Sequence, residues 1–136
     1  MTLLPERYKD SLKFAFGDSP ALADELLALV LEGKKTATCA AVRDYVEDST
    51  EKPVVGRRDV VLDGAGNPAA VIETVEISYR RFNEVDADFA REEGEGAATL
   101  EQWRHDHQNY FSRNGGFSPD MELLLERFRL VEILKR

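Results

Sequence analysis

The chain has 136 residues, 43% hydrophobic and 32% charged, so it reads as one folded globular domain spanning 1–136 rather than a disordered chain. Eighteen basic against twenty-six acidic residues leave a net charge of −8, which disfavours sequence-blind binding to double-stranded DNA. A single cysteine excludes an internal disulfide and a multi-cysteine zinc site, and no apolar stretch approaches the roughly 20 residues that span a bilayer, so no membrane partner is expected.

Met1 to Arg7 lacks the basic and apolar regions of a signal peptide, and a reducing cytoplasm is the expected setting. Residues 1–13 are read as a lead-in that packs loosely. Ser19-Pro20 opens a helix, with serine as N-cap and proline at the first helical position. Leu22, Leu26, Leu29 and Val30 give it one apolar stripe, and Gly33 ends it. Thr36 to Val42 predicts a short strand, and the polar stretch 44–55 predicts a loop. Arg58 to Leu62 and Ala69 to Ile77 flank a turn with two glycines and predict a hairpin. Apolar residues on both faces of 69–77 predict a central strand. Asn83 to Glu93 predicts a helix ending at Gly94. Thr99-Leu100-Glu101-Gln102 reads as a capping box, opening a helix that stops at Gly115-Gly116. Met121 to Leu134 predicts one long strand that closes the sheet. The expected fold class is α+β, a small mixed β-barrel flanked by helices.

The candidate chemistry lies in two runs. Gly33-Lys34-Lys35-Thr36-Ala37-Thr38-Cys39 puts two ammonium groups and two hydroxyls where a helix hands over to a strand. Phe89-Ala90-Arg91-Glu92-Glu93-Gly94-Glu95-Gly96 supplies carboxylates, and three acids near a helix C-terminus oppose the macrodipole. The bland reading makes both runs solvated or capping. Lys35 and Thr38 have opposite strand parity, so Lys35 has to sit on the turn after Gly33 to work with Thr38. Basic groups that can reach a ligand include Lys34, Arg43 and Arg57, and Tyr45 lies in the loop over the expected cleft. Leu100, Trp103, His107, Tyr110 and Phe111 share a helix face, read as core, with His107 a hydrogen-bonded histidine at its margin. Glu101 and His105 are two weak ligands, so neither a metal nor a cofactor is expected. Cys39, next to Thr38, is read as a small buried residue facing away from the cleft.

Taken in order, these blocks resemble the ASCH domain from about residue 14 to residue 134. The match also draws on Val55-Gly56-Arg57-Arg58, Asn67-Pro68, Val71-Ile72-Glu73-Thr74 and Leu100-Glu101-Gln102-Trp103-Arg104 with Tyr110-Phe111. The resemblance implies a PUA-like barrel with a cleft facing a modified nucleoside or single-stranded RNA. Members hydrolyse the acyl amide of N4-acetylcytidine nucleosides or cleave single-stranded RNA, and a non-catalytic RNA-binding module is a third possibility. By similarity to the amide-hydrolysing members, Lys35, Thr38 and Glu93 are the expected catalytic residues. Lys34, Thr36, Arg43, Tyr45 and Arg57 are the expected substrate-binding residues. Those members are shorter, without the Glu95-Gly96 run and the extended helix of Trp103.

Overall fold

The computed structural model describes residues 4–45, 52–97 and 99–134, so half of the loop expected over 44–55 lies outside the described residues. Five strands form one mixed sheet: β1 (Lys13–Phe14), β2 (Ala37–Ala41), β3 (Arg58–Leu62), β4 (Pro68–Arg81) and β5 (Glu122–Ile133). Three helices accompany it: α1 (Pro20–Leu31), α2 (Ala87–Glu93) and α3 (Leu100–Arg113). The sheet order is β1-β3-β4-β5-β2, all antiparallel except β1 on β3. As its apolar pattern predicts, β4 is the middle strand. The final strand does not end the sheet: β5 lies between β4 and β2, and β2 takes the edge. Among the described residues no ladder joins β1 to β2, so the hydrogen-bonded sheet is open where a closed barrel was expected.

Local chemistry sets the helices. The Ser19 hydroxyl accepts from the Leu22 amide at 3.1 Å, and α1 packs Leu26, Leu27 and Val30 on Val61, Ala70, Ile72 and Phe128. The predicted helix over 83–93 divides into a turn at Phe82–Glu84 and α2, which starts only after Asp86 caps the Phe89 amide at 2.9 Å. An aspartate whose carboxylate caps the chain beyond it stops a helix from running through. At α3 the Thr99 hydroxyl accepts from the Gln102 amide, but the Gln102 side chain bonds Asp106 rather than completing the capping box. α2 and α3 cover the other face of β2 and β5, where Phe89, Trp103 and Phe111 pack on Ala37, Ala41, Leu123 and Leu125.

Among its described residues the lead-in is anchored at Tyr8, and the chain just beyond it at Phe16. Tyr8 is buried against Val60 and Val71 and donates to the Glu132 carboxylate at 3.0 Å, and Phe16 is buried beside Phe128. Two aromatic anchors and a two-residue strand leave too short a pattern for periodicity to reveal.

One close approach joins the two runs. The Thr36 amide donates to the Glu92 carbonyl at 2.9 Å. Gly94 ends α2 with φ +65°, and a Cβ there would lie 1.9 Å from the Lys34 carbonyl oxygen. Only glycine lets these backbones meet. Gly94→Ala is expected to cost about 2–3 kcal/mol, a fall of roughly 5–15 °C in Tm. Gly96, at φ +89° with open space around it, is the control for positive φ alone. A thermal melt in which Gly94→Ala falls no further than Gly96→Ala would contradict the close approach.

Candidate functional site

Lys35 sits on the turn between α1 and β2, where its amide donates to the Leu29 carbonyl at 3.1 Å. From there its side chain turns inward and is fully buried. The ammonium donates to the Ala37 carbonyl at 2.8 Å and the Glu93 carbonyl at 3.4 Å, and it contacts the Glu95 carboxylate. The Glu93 carboxylate stands 3.9 Å away. The Phe16 ring lies beneath, its centroid 5.5 Å from Nζ. A buried ammonium without partners would be strongly destabilising, so the carboxylates of the second run are what let this lysine sit inside.

Glu93 is buried at the C-terminal end of α2 and is surrounded by donors. Trp103 Nε1 donates to Oε2 at 3.3 Å, and His107 Nε2 lies 3.2 Å from Oε1. Burial pushes this carboxyl up, but the Lys35 charge and the His107 hydrogen bond outweigh it, leaving it below the usual range. Glu95 differs. Burial pushes its carboxyl up, the Glu93 charge adds to that, and Lys35 opposes without prevailing. Two neighbouring carboxyls are thus driven apart around one ammonium, an arrangement suited to proton traffic.

His107 stacks on Trp103 with centroids 4.1 Å apart. Its Nδ1 donates to the Trp103 carbonyl at 2.9 Å while Nε2 faces Glu93. Acceptors at both ring nitrogens favour the imidazolium. Burial pulls the ring pKa down, yet the Glu93 hydrogen bond and charge raise it above the ordinary histidine value.

These groups open onto a cavity of about 510 Å3, a size typical of small-molecule sites. Thr38, Cys39, Glu93, Glu95 and His107 line it. Neighbouring strand residues point to opposite faces, yet Thr38 and Cys39 both line the cavity at the edge strand β2. This corrects the expectation that Cys39 faces away. Its thiol packs toward the α3 core and is pushed well up by burial, with the Glu93 charge adding to that.

β3 and β5 also bring polar groups to the cavity. Arg57 makes a fork with Asp59 at 2.7 and 3.0 Å, and the Thr74 hydroxyl donates to Glu126 at 2.7 Å. Burial raises the Glu126 carboxyl, against the opposing Thr74 hydrogen bond. Cross-strand pairing places Glu126 directly beside Thr38.

Of the residues picked from sequence, the structure brings Thr38, Glu93, Tyr45 and Arg57 to the cavity wall. Lys35 lies immediately behind Glu93. Lys34 pairs with Glu32 at 3.1 Å, Thr36 is exposed against the Glu92 carbonyl, and Arg43 reaches the Gly116 carbonyl at 2.6 Å. Those three do not line the cavity. Sequence reasoning missed Glu95, Asp59 and Glu126 as site residues and placed His107 only at the core margin. The one visible signal was the excess of acids at the end of α2.

The family model for the ASCH domain matches residues 13–132. No curated protein matches the chain. Among solved structures, a protein from Enterococcus faecalis is 31% identical with TM-score 0.82, covering 98% of this chain and 80% of its own. An ASCH domain from Lactobacillus crispatus is 32% identical with TM-score 0.80, covering 93% and 86% respectively. An ASCH protein from Zymomonas mobilis shares the fold at 13% identity and TM-score 0.54, covering 92% of this chain and 71% of its own.

The His107–Glu93 contact sets a sign. A raised histidine pKa stabilises fully below the unfolded value near 6.5 and loses that contribution as pH rises through the folded value. NMR titration of the His107 ring is expected to give a midpoint above 6.5, falling in Glu93→Gln because burial is then opposed by less charge. A midpoint unmoved by Glu93→Gln would contradict the contact.

Proposed function

Because the chain belongs to the ASCH domain family, whose members are commonly RNA-binding or hydrolase-like, we propose that its cavity hydrolyses the exocyclic acyl amide of N4-acetylcytidine-type nucleosides. One observation carries this reading: Thr38 and Glu93 line one cavity, with the Lys35 ammonium ion-paired to Glu93 directly behind it. A hydroxyl nucleophile, a group able to take its proton and a carboxylate near the leaving nitrogen are the parts an amide hydrolysis needs.

Thr38 Oγ1 attacks the acetyl carbonyl carbon. Its proton passes to the Lys35–Glu95 pair, in which Lys35 is the group assigned as base. The C–N4 bond then breaks. The departing N4 takes its proton from the Glu93–His107 pair, which holds an imidazolium proton to give. Water cleaves the acyl-threonine ester, His107 recovers its proton from that water, and Lys35 returns one to Thr38 as acetate leaves. The cavity wall carries five acidic side chains (Asp59, Glu93, Glu95, Asp106 and Glu126) against three basic ones (Lys13, Arg57 and Arg113), a balance that suits a phosphate-free ligand better than a polyanion.

The test incubates purified protein with acetylcytidine and, separately, with labelled single-stranded RNA. Deacetylation is expected, with Thr38→Ala losing nearly all turnover and Thr38→Ser keeping part. Lys35→Arg is expected to be inactive, because a guanidinium cannot act as base. Intact acetylcytidine with cut RNA would replace this reading with a ribonuclease, and RNA binding without cleavage would make the domain a reader.

A further inference from the structure

We infer that Cys39, Glu93 and His107 form a binding site for one borderline-soft divalent transition-metal ion, zinc by ligand chemistry, with a fourth position open to the cavity. Each offers one ligand atom, and the three atoms lie within 4.8 Å of one another. Tetrahedral zinc with sulfur, nitrogen and oxygen ligands needs them roughly 3.3–3.7 Å apart, so closing on an ion takes side-chain adjustments of about an ångström. The three come from β2, α2 and α3, which share one packed core, so the backbone already holds the ligands together.

The surroundings match what a metal site requires. His107 Nδ1 donates to the Trp103 carbonyl at 2.9 Å, which leaves Nε2 as the coordinating nitrogen once its proton is displaced. Trp103 Nε1 fixes the second oxygen of Glu93 at 3.3 Å, leaving Oε1 directed at the metal position. Stacking on Trp103 holds the imidazole plane. The thiol, imidazole and carboxylate set suits zinc and its neighbours, whereas magnesium and calcium take oxygen ligands. All three ligands line the cavity, which places the open position where water or a small ligand can enter.

Charge also balances. The ion replaces the His107 proton and the Cys39 thiol proton, so a dication takes the place of two protons. The Lys35 ammonium, 3.9 Å from Glu93, opposes the metal, and Glu95 on its other side offsets that opposition. The sequence offered no such site because the ligands lie 54 and 14 residues apart, outside any metal-binding spacing.

The site does not depend on the hydrolytic reading, and its test has no turnover readout. Chelator-stripped protein is titrated with Co2+ alone, followed by absorbance. One ion per chain is expected, with a thiolate-to-cobalt charge-transfer band and the intense visible bands of a four-coordinate ion, all displaced by Zn2+. Cys39→Ser is expected to lose the charge-transfer band, and His107→Gln to weaken binding on the order of 10- to 100-fold, with circular dichroism confirming that both fold. Wild-type protein that gives no charge-transfer band overturns the proposal, as does a band that survives in Cys39→Ser or an affinity unchanged in His107→Gln.

Discussion

The buried ammonium of Lys35 is the constraint around which this domain is arranged. An unpaired charge in a protein interior costs several kcal/mol, so the chain has to bring it partners. It does so from 58 and 60 residues downstream, where the end of α2 supplies Glu93 and Glu95. The close approach at Gly94, the Thr36–Glu92 hydrogen bond and the packing of Phe89 under α3 all serve that meeting. The acids that seemed misplaced against the macrodipole have local partners: Glu93 has Lys35 and His107, and Glu92 has the Arg127 guanidinium at 2.8 Å.

The cavity follows from a second constraint, the position of β2 at the sheet edge. An interior strand shows one face to each side, and a ligand site there can use only alternate residues. An edge strand can be wrapped. Thr38 and Cys39 both line the cavity from β2, and His107 lines it from α3. The cavity wall is polar at Asp59 and Glu126 and apolar at Phe14, Phe16, Leu22 and Leu26.

Electrostatically the site is a set of neighbours with opposing tendencies. Glu93 is held ionised by Lys35 and His107, while Glu95 and Glu126 are pushed toward the neutral form by burial. Such divergence within one cavity is the usual signature of acid–base work, although structural ion pairs also produce it. The proposed amide hydrolysis and a bound ion are alternative states of one site, since both use Glu93 and the ion displaces the His107 proton that the hydrolysis draws on.

What the sequence determined by itself was local. Caps at Ser19 and Thr99, the terminator at Gly33, the hairpin around Gly64 and Gly66 and the two-sided apolar character of β4 are written in neighbouring residues, and the elements formed where those signals lay. The capacity of the two charged runs for chemistry was legible too, because lysine, threonine and glutamate declare their functional groups. The packing of the lead-in, the edge position of β2, the split of the segment over 82–93 and the recruitment of His107, Glu95 and Cys39 were decided by tertiary structure. Each depends on contacts between residues far apart in the chain, and no local pattern encodes which distant carboxylate a buried ammonium will meet.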